Sequence, residues 1–154
     1  MNRRLGGPSY KDVQADLGNN HTFTDPTNEF SPETTRRTIY RLWARQGNNP
    51  LLESLDCPDP AVMSPRRPQT ITPVQALSLL NNAYAEQTAE QFAQRVRRET
   101  GEEVLKHIQR SYKLAYGRDP TSREQELATR FISQYGLPQF CLVLLNSNEF
   151  VFVE

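Results

Sequence analysis

The 154-residue sequence predicts an all-α fold: a compact bundle of about four to six short helices with a long irregular N-terminal arm. Three observations carry that expectation. The helix-start pattern Ser/Thr-x-x-Glu/Gln occurs at Thr72–Gln75, Thr100–Glu103 and Thr121–Glu124. Apolar residues after each start recur at three- and four-residue spacing. Glycines then interrupt the pattern at 117 and 136, and such short connections leave successive helices as antiparallel neighbours.

The elements follow in chain order. Residues 1–30 are rich in Gly, Asn, Asp, Thr and Pro, hold no sustained period, and read as the irregular arm. Residues 31–154 form the helical domain. Its first segment, SPETTRRTIYRLWARQG, predicts a helix with Ser31 as N-cap, Pro32 at the first position and Glu33 in the first turn. Ile39, Leu42 and Trp43 fall at helical spacing, and Gly47 can end the element. Thr34, Thr35 and Thr38 are weak helix formers, so a short strand is the alternative. In NNPLLESLDCPDP, Asn49 caps a brief helix, Pro50 opens it and Leu51, Leu52 and Leu55 form its apolar face.

The stretch SPRRPQTITPVQALSLLNN comes next. Prolines 58, 60 and 65 force an irregular connection, after which Thr72, Pro73 and Gln75 make a capping box. Leu77, Leu80, Tyr84, Thr88, Phe92 and Val96 predict one long helix running to RRETG, with that stripe as core. A fourth helix carries Leu105, Ile108, Tyr112 and Ala115, ending at Gly117. A fifth carries Leu127, Ala128, Phe131, Ile132 and Tyr135, ending at Gly136. LPQFCLVLLNSNEF supplies a last apolar helix, and VFVE reads as a docked tail.

Composition narrows the function classes. Lys+Arg and Asp+Glu both number 18, so no net charge draws the chain to nucleic acid or a membrane surface. No apolar run approaches the roughly 20 residues that span a bilayer. MNRRLGGPSYKDV lacks the apolar core of a signal peptide. Met1 therefore begins either a cytosolic chain or a piece whose targeting segment lies upstream. Fifteen arginines stand against three lysines, which favours planar, bidentate pairing with carboxylates. Cys57 and Cys141 lack metal-ligand spacing and read as free thiols more readily than as a bridge.

No catalytic motif is recognisable, and no metal or cofactor is implied: there is no HExxH, CxxC or glycine-rich phosphate loop. His107 reads as a surface residue. Asp56 and Asp59 flank a proline-stiffened turn. With Arg66 and Arg67 they form the leading site candidates, either as a ligand site or as an arginine–carboxylate clamp, and the clamp is the expectation. Arg36, Arg37, Arg41 and Arg45 interleave with Tyr40 and Trp43, a pattern that can suit nucleic acid. The balanced charge argues instead for structural pairing or a solvated face. Asn146 and Asn148 in NSNEF can satisfy open helix-end groups or line a sugar pocket. Arg36, Arg37, Tyr40, Trp43, Asn146 and Asn148 are thus the secondary candidates.

Five motifs in fixed order, RRTIYRLWAR, SLDCPDP, PRRPQTITPVQALSLLNN, AYGRDPTSRE and LNSNEFVFVE, resemble the C-terminal part of a planctomycete domain of unknown function. That domain occurs beside cytochrome-c-like domains in large secreted proteins. The family's signature falls on Arg66, Arg67, Thr70, Thr72, Pro73, Gln75, Ala76, Leu77, Leu79, Leu80 and Asn81. The resemblance implies an extracytoplasmic multidomain setting, with upstream domains of the parent protein as partners. It implies no activity, catalytic residue or ligand, and this chain holds no CxxCH. The expected function is a non-catalytic helical module that completes or supports a larger protein. The alternative is part of a polysaccharide-active or redox assembly that supplies an Arg/Asp site.

Overall fold

The computed structural model describes residues 5–10, 13–15, 23–26, 31, 33–42, 49–58, 63, 65, 70 and 72–151. Among the described residues the fold is all-α apart from one small ribbon, and the chain forms two compact units, residues 1–78 and 79–154.

In the first unit, β1 (Val13–Ala15) pairs antiparallel with β2 (Phe23–Pro26), with Val13 opposite Pro26 and Ala15 opposite Phe23. The helix expected from Ser31 does not form among the described residues. Ser31 and Thr34 instead close a reciprocal turn: Thr34 N donates to Ser31 Oγ at 3.2 Å, and Ser31 N donates to Thr34 Oγ1 at 2.9 Å. A single 3-10 turn follows at Thr38–Tyr40, after which Arg41 bridges Tyr10 in parallel. Three threonines within five residues favour such side-chain-to-backbone bonding over a helix ladder. Ile39, expected on the apolar face, is 81% exposed.

Helix α1 (Pro50–Ser54) is capped as expected, with Asn49 Oδ1 accepting from the amides of Leu51 and Leu52. Helix α2 (Pro73–Asn81) opens on the expected capping box: Gln75 N donates to Thr72 Oγ1, and Thr72 N donates to Gln75 Oε1. The expected long helix is nevertheless broken. Asn82 is extended (φ −86°, ψ 126°), and its side chain caps a separate α3 (Ala83–Thr100) by accepting from Tyr84 N at 2.9 Å.

The second unit contains α3, α4 (Val104–Ala115), α5 (Ser122–Tyr135), α6 (Leu137–Leu145) and α7 (Asn148–Val151). Its core is Ala89, Ala93, Val96, Ile108, Tyr112, Ala128, Leu137, Phe140, Cys141 and Leu144. The α3 side of this core is small, and Ala89 and Ala93 let α6 lie close along α3. That changes the predicted stripe. Leu77, Leu80 and Tyr84 are exposed, Leu80 at 45%, so the expected core face of α2 and early α3 is not core. Phe131 and Ile132 do pack against the core from α5.

Two further local expectations change. Thr100 does not begin α4. It is the last residue of α3, its hydroxyl bonds back to Val96 O, and Gly101 ends the helix at φ 70°. His107 is 6% exposed, not a surface residue. Its Nε2 lies 2.6 Å from Gly101 O, so the tautomer with its proton on Nε2 ties α4 to the end of α3. Both cysteines are free thiols.

Candidate functional site

Three polar joints gather motif residues among those described. The first holds the start of the chain. Arg36 is 5% exposed, and its Nη1 and Nη2 donate to Pro8 O (2.8 Å) and Gly6 O (2.5 Å). Its guanidinium lies 4.0 Å from the Tyr40 ring centroid, and the Tyr40 hydroxyl accepts from Gly6 N at 3.0 Å. Backbone bonds from Tyr10 N to Tyr40 O and from Leu42 N to Tyr10 O complete the joint. Arg36 and Arg41 are both buried, while Arg37 is exposed. Arg36 thus turns inward and grips backbone carbonyls. Trp43 lies outside the described residues.

The second joint gathers on Asp56. This residue has φ 58°, a left-handed conformation that aspartate tolerates better than most residues. The turn aims its carboxylate at the entry to α2. Thr70 N donates to Oδ2 at 2.6 Å, Thr70 Oγ1 approaches both oxygens, and Gln75 Nε2 donates to Oδ2 at 3.2 Å. Gln75 thus serves the capping box and the Asp56 turn together. Asp59, Arg66 and Arg67 lie outside the described residues, so the arginine half of the expected clamp remains a proposal.

The third joint is the most developed charged constellation among the described residues. Arg118 leaves the α4–α5 turn just after Gly117. Its Nε and Nη2 donate to the two oxygens of Glu149 on α7, at 2.7 and 2.8 Å. Its Nη1 and Nη2 donate to the two oxygens of Glu124 on α5, at 3.0 and 2.8 Å. One planar fork therefore holds two carboxylates, a geometry that lysine cannot reproduce. The guanidinium also lies 5.4 Å and 5.5 Å from the ring centroids of Tyr112 and Tyr116. Tyr116 donates its hydroxyl to Ser147 Oγ at 2.8 Å, tying the end of α4 to the α6–α7 connection. Asn146 Nδ2 donates to Leu142 O at the end of α6, and Asn148 is exposed at the start of α7.

The electrostatics follow from these contacts. Arg118 holds Glu124 well below the usual carboxylate range, at about 2, and Thr121 adds a backbone and a hydroxyl bond to the same group. Arg118 also lowers Glu149, and both carboxylates raise Arg118. Burial is the first cause that pushes Tyr112 up to about 12.

A depressed carboxylate contributes stability above its unfolded pKa and loses it as the pH falls through the folded value. Thermal stability is therefore expected to decline from about pH 4.5 toward pH 2, through Glu124. The acid-dependent slope should be shallower in Glu124→Gln. An identical pH–Tm profile in that variant would show that the joint carries no titrating stability. The groups are solvent-exposed, so the effect should also shrink in high salt.

The carboxylates of these joints already face arginine, amide or hydroxyl donors. The Cys141 thiol, next to Ser111, is pushed up to about 12 by burial, far from the thiolate that a nucleophile requires. No group of three or more His, Cys, Asp or Glu among the described residues is placed to hold a metal ion. No described helix is long and apolar enough to cross a membrane.

Sequence reading named Asn146 but missed Arg118, Glu124 and Glu149 as partners. The available signal was an arginine just past a helix-ending glycine, near a capping-box glutamate. Nothing local marked Glu149, 31 residues from Arg118.

Fold and joints together define a helical module whose motif side chains lock its own segments to one another. The chain belongs to the family described as PSD1, a protein of unknown function (DUF1553), which matches residues 1–132. The LNSNEF motif, with Glu149, lies beyond the matched stretch. Neither a curated protein nor a solved structure gives a significant match to the chain.

Proposed function

We propose that the chain is a non-catalytic structural module that completes or supports a larger extracytoplasmic multidomain protein. The observation that carries this reading is the internal use of the motif residues. Arg36, Asp56, Thr70, Gln75, Arg118, Glu124 and Glu149 each bond another part of the same chain. Residues arranged in this way fix chain geometry, and a fixed framework is what a supporting domain supplies. The extracytoplasmic setting and the upstream domains follow from the motif resemblance. The clamp, pairing Arg67 with Asp56 and Arg66 with Asp59, belongs to the same reading, as a further tie at the entry to α2.

Fractionating source cells and probing with an antibody against this chain tests the proposal. The expected signal is extracytoplasmic and sits in a polypeptide heavier than the 17.7 kDa of these residues. A cytoplasmic species of that mass would overturn it.

A further inference from the structure

We propose that Asn82 is a switchable helix break, able to convert α2 and α3 into one continuous helix by the change of a single backbone torsion. Every residue from Pro73 to Thr100 other than Asn82 is already helical. At Asn82 itself φ is −86°, close to the helical range, and only ψ, at 126°, departs from it. The bond from Glu86 N to Asn82 O, at 3.1 Å, is an ordinary i→i−4 bond and survives in either state.

The break has no covalent cause. The residues around it read Leu-Leu-Asn-Asn-Ala-Tyr-Ala-Glu, without the proline or the glycine–serine pair that ordinarily enforces a sharp interruption. What holds it is the cap: Asn82 Oδ1 accepts from Tyr84 N at 2.9 Å, in place of the Leu80 carbonyl that a continuous helix would offer. Packing at the C-terminal end of α2 is light: none of its residues is fully buried, and Leu80 and Asn81 beside the break are exposed. Closing the break would let the amides of Ala83, Tyr84 and Ala85 bond the carbonyls of Leu79, Leu80 and Asn81. The product would be a 28-residue helix, about 42 Å long at 1.5 Å per residue. Cap and ladder therefore compete for the same donors.

NMR on the full chain tests this through three local readouts: the Cα secondary shift of residue 82, amide exchange at residues 83–85, and relaxation dispersion at the same amides. Asn82→Ala removes the cap and raises helix propensity. It should move residue 82 to a helical shift and slow exchange at Ala83 and Ala85 at least tenfold, while core shifts from α4 to α6 stay unchanged. Asn82→Asp keeps a capping oxygen and should match the wild type. The wild type should show dispersion at 83–85 whose minor-state shifts equal those of Asn82→Ala, and the variant should lose it. Asn82→Gln carries the same test should the alanine variant fail to fold. An extended residue 82 with wild-type exchange in the uncapped variants would overturn the proposal, as would a wild type without dispersion.

Discussion

Removal of residues 137–154 is expected to abolish the cooperative thermal transition of the second unit. The reason lies in α6, which is central to the second unit although it comes late in the sequence. Leu137, Phe140, Cys141 and Leu144 are four of its ten core residues, and α6 packs on α3, α4 and α5. Burial of the two leucines and the phenylalanine alone contributes about 5–9 kcal/mol, at about 1.5–3 kcal/mol per side chain. That is comparable to the whole stability of an ordinary domain, about 5–15 kcal/mol. Truncation would also bare the facing sides of α3 and α4. The family match ends at residue 132, so the folding unit reaches beyond it. Calorimetry or thermal circular dichroism checks this. A truncated chain with a sharp transition near the full-length Tm would show that α6 is dispensable.

Phe140→Ala is expected to cost about 3–5 kcal/mol while leaving the fold in place. Phe140 is buried, and its ring lies 6.3 Å, centroid to centroid, from Tyr112. The substitution removes apolar burial, an aromatic neighbour and volume at once. The surrounding side chains come from different helices and cannot all collapse into the gap. Urea unfolding should show a lower midpoint with an unchanged m-value. A loss below about 1 kcal/mol would place the ring outside the packed core.

Helix ends that are settled by neighbours a few residues apart could be read from the sequence. Asn49–Pro50, Thr72–Gln75, Thr121–Glu124 and the glycines at 117 and 136 all perform as predicted. The misleading positions are those where two local preferences compete. Thr100–Glu103 has capping-box spacing, but the α3 ladder continues through Thr100 and only Gly101 stops it. At Asn82 a cap interrupts an unbroken apolar period, and periodicity alone does not register it. In α4, His107 and Ser111 join Ile108 and Tyr112 in the buried face, so that face is more polar than an apolar count suggests. The Arg36 grip and the Arg118 joint depend on residues about 30 positions apart, which no short window links.

The sealed thiol of Cys141 has a kinetic consequence. Only the thiolate reacts with disulfide or alkylating reagents, and burial removes both that form and access to it. Labelling at this sulfur therefore waits for α6 to leave the bundle, and its rate follows the opening of the second unit. Cys57, free and partly exposed, needs no such opening. One sulfur keeps time for the core, and the other supplies the clock's zero.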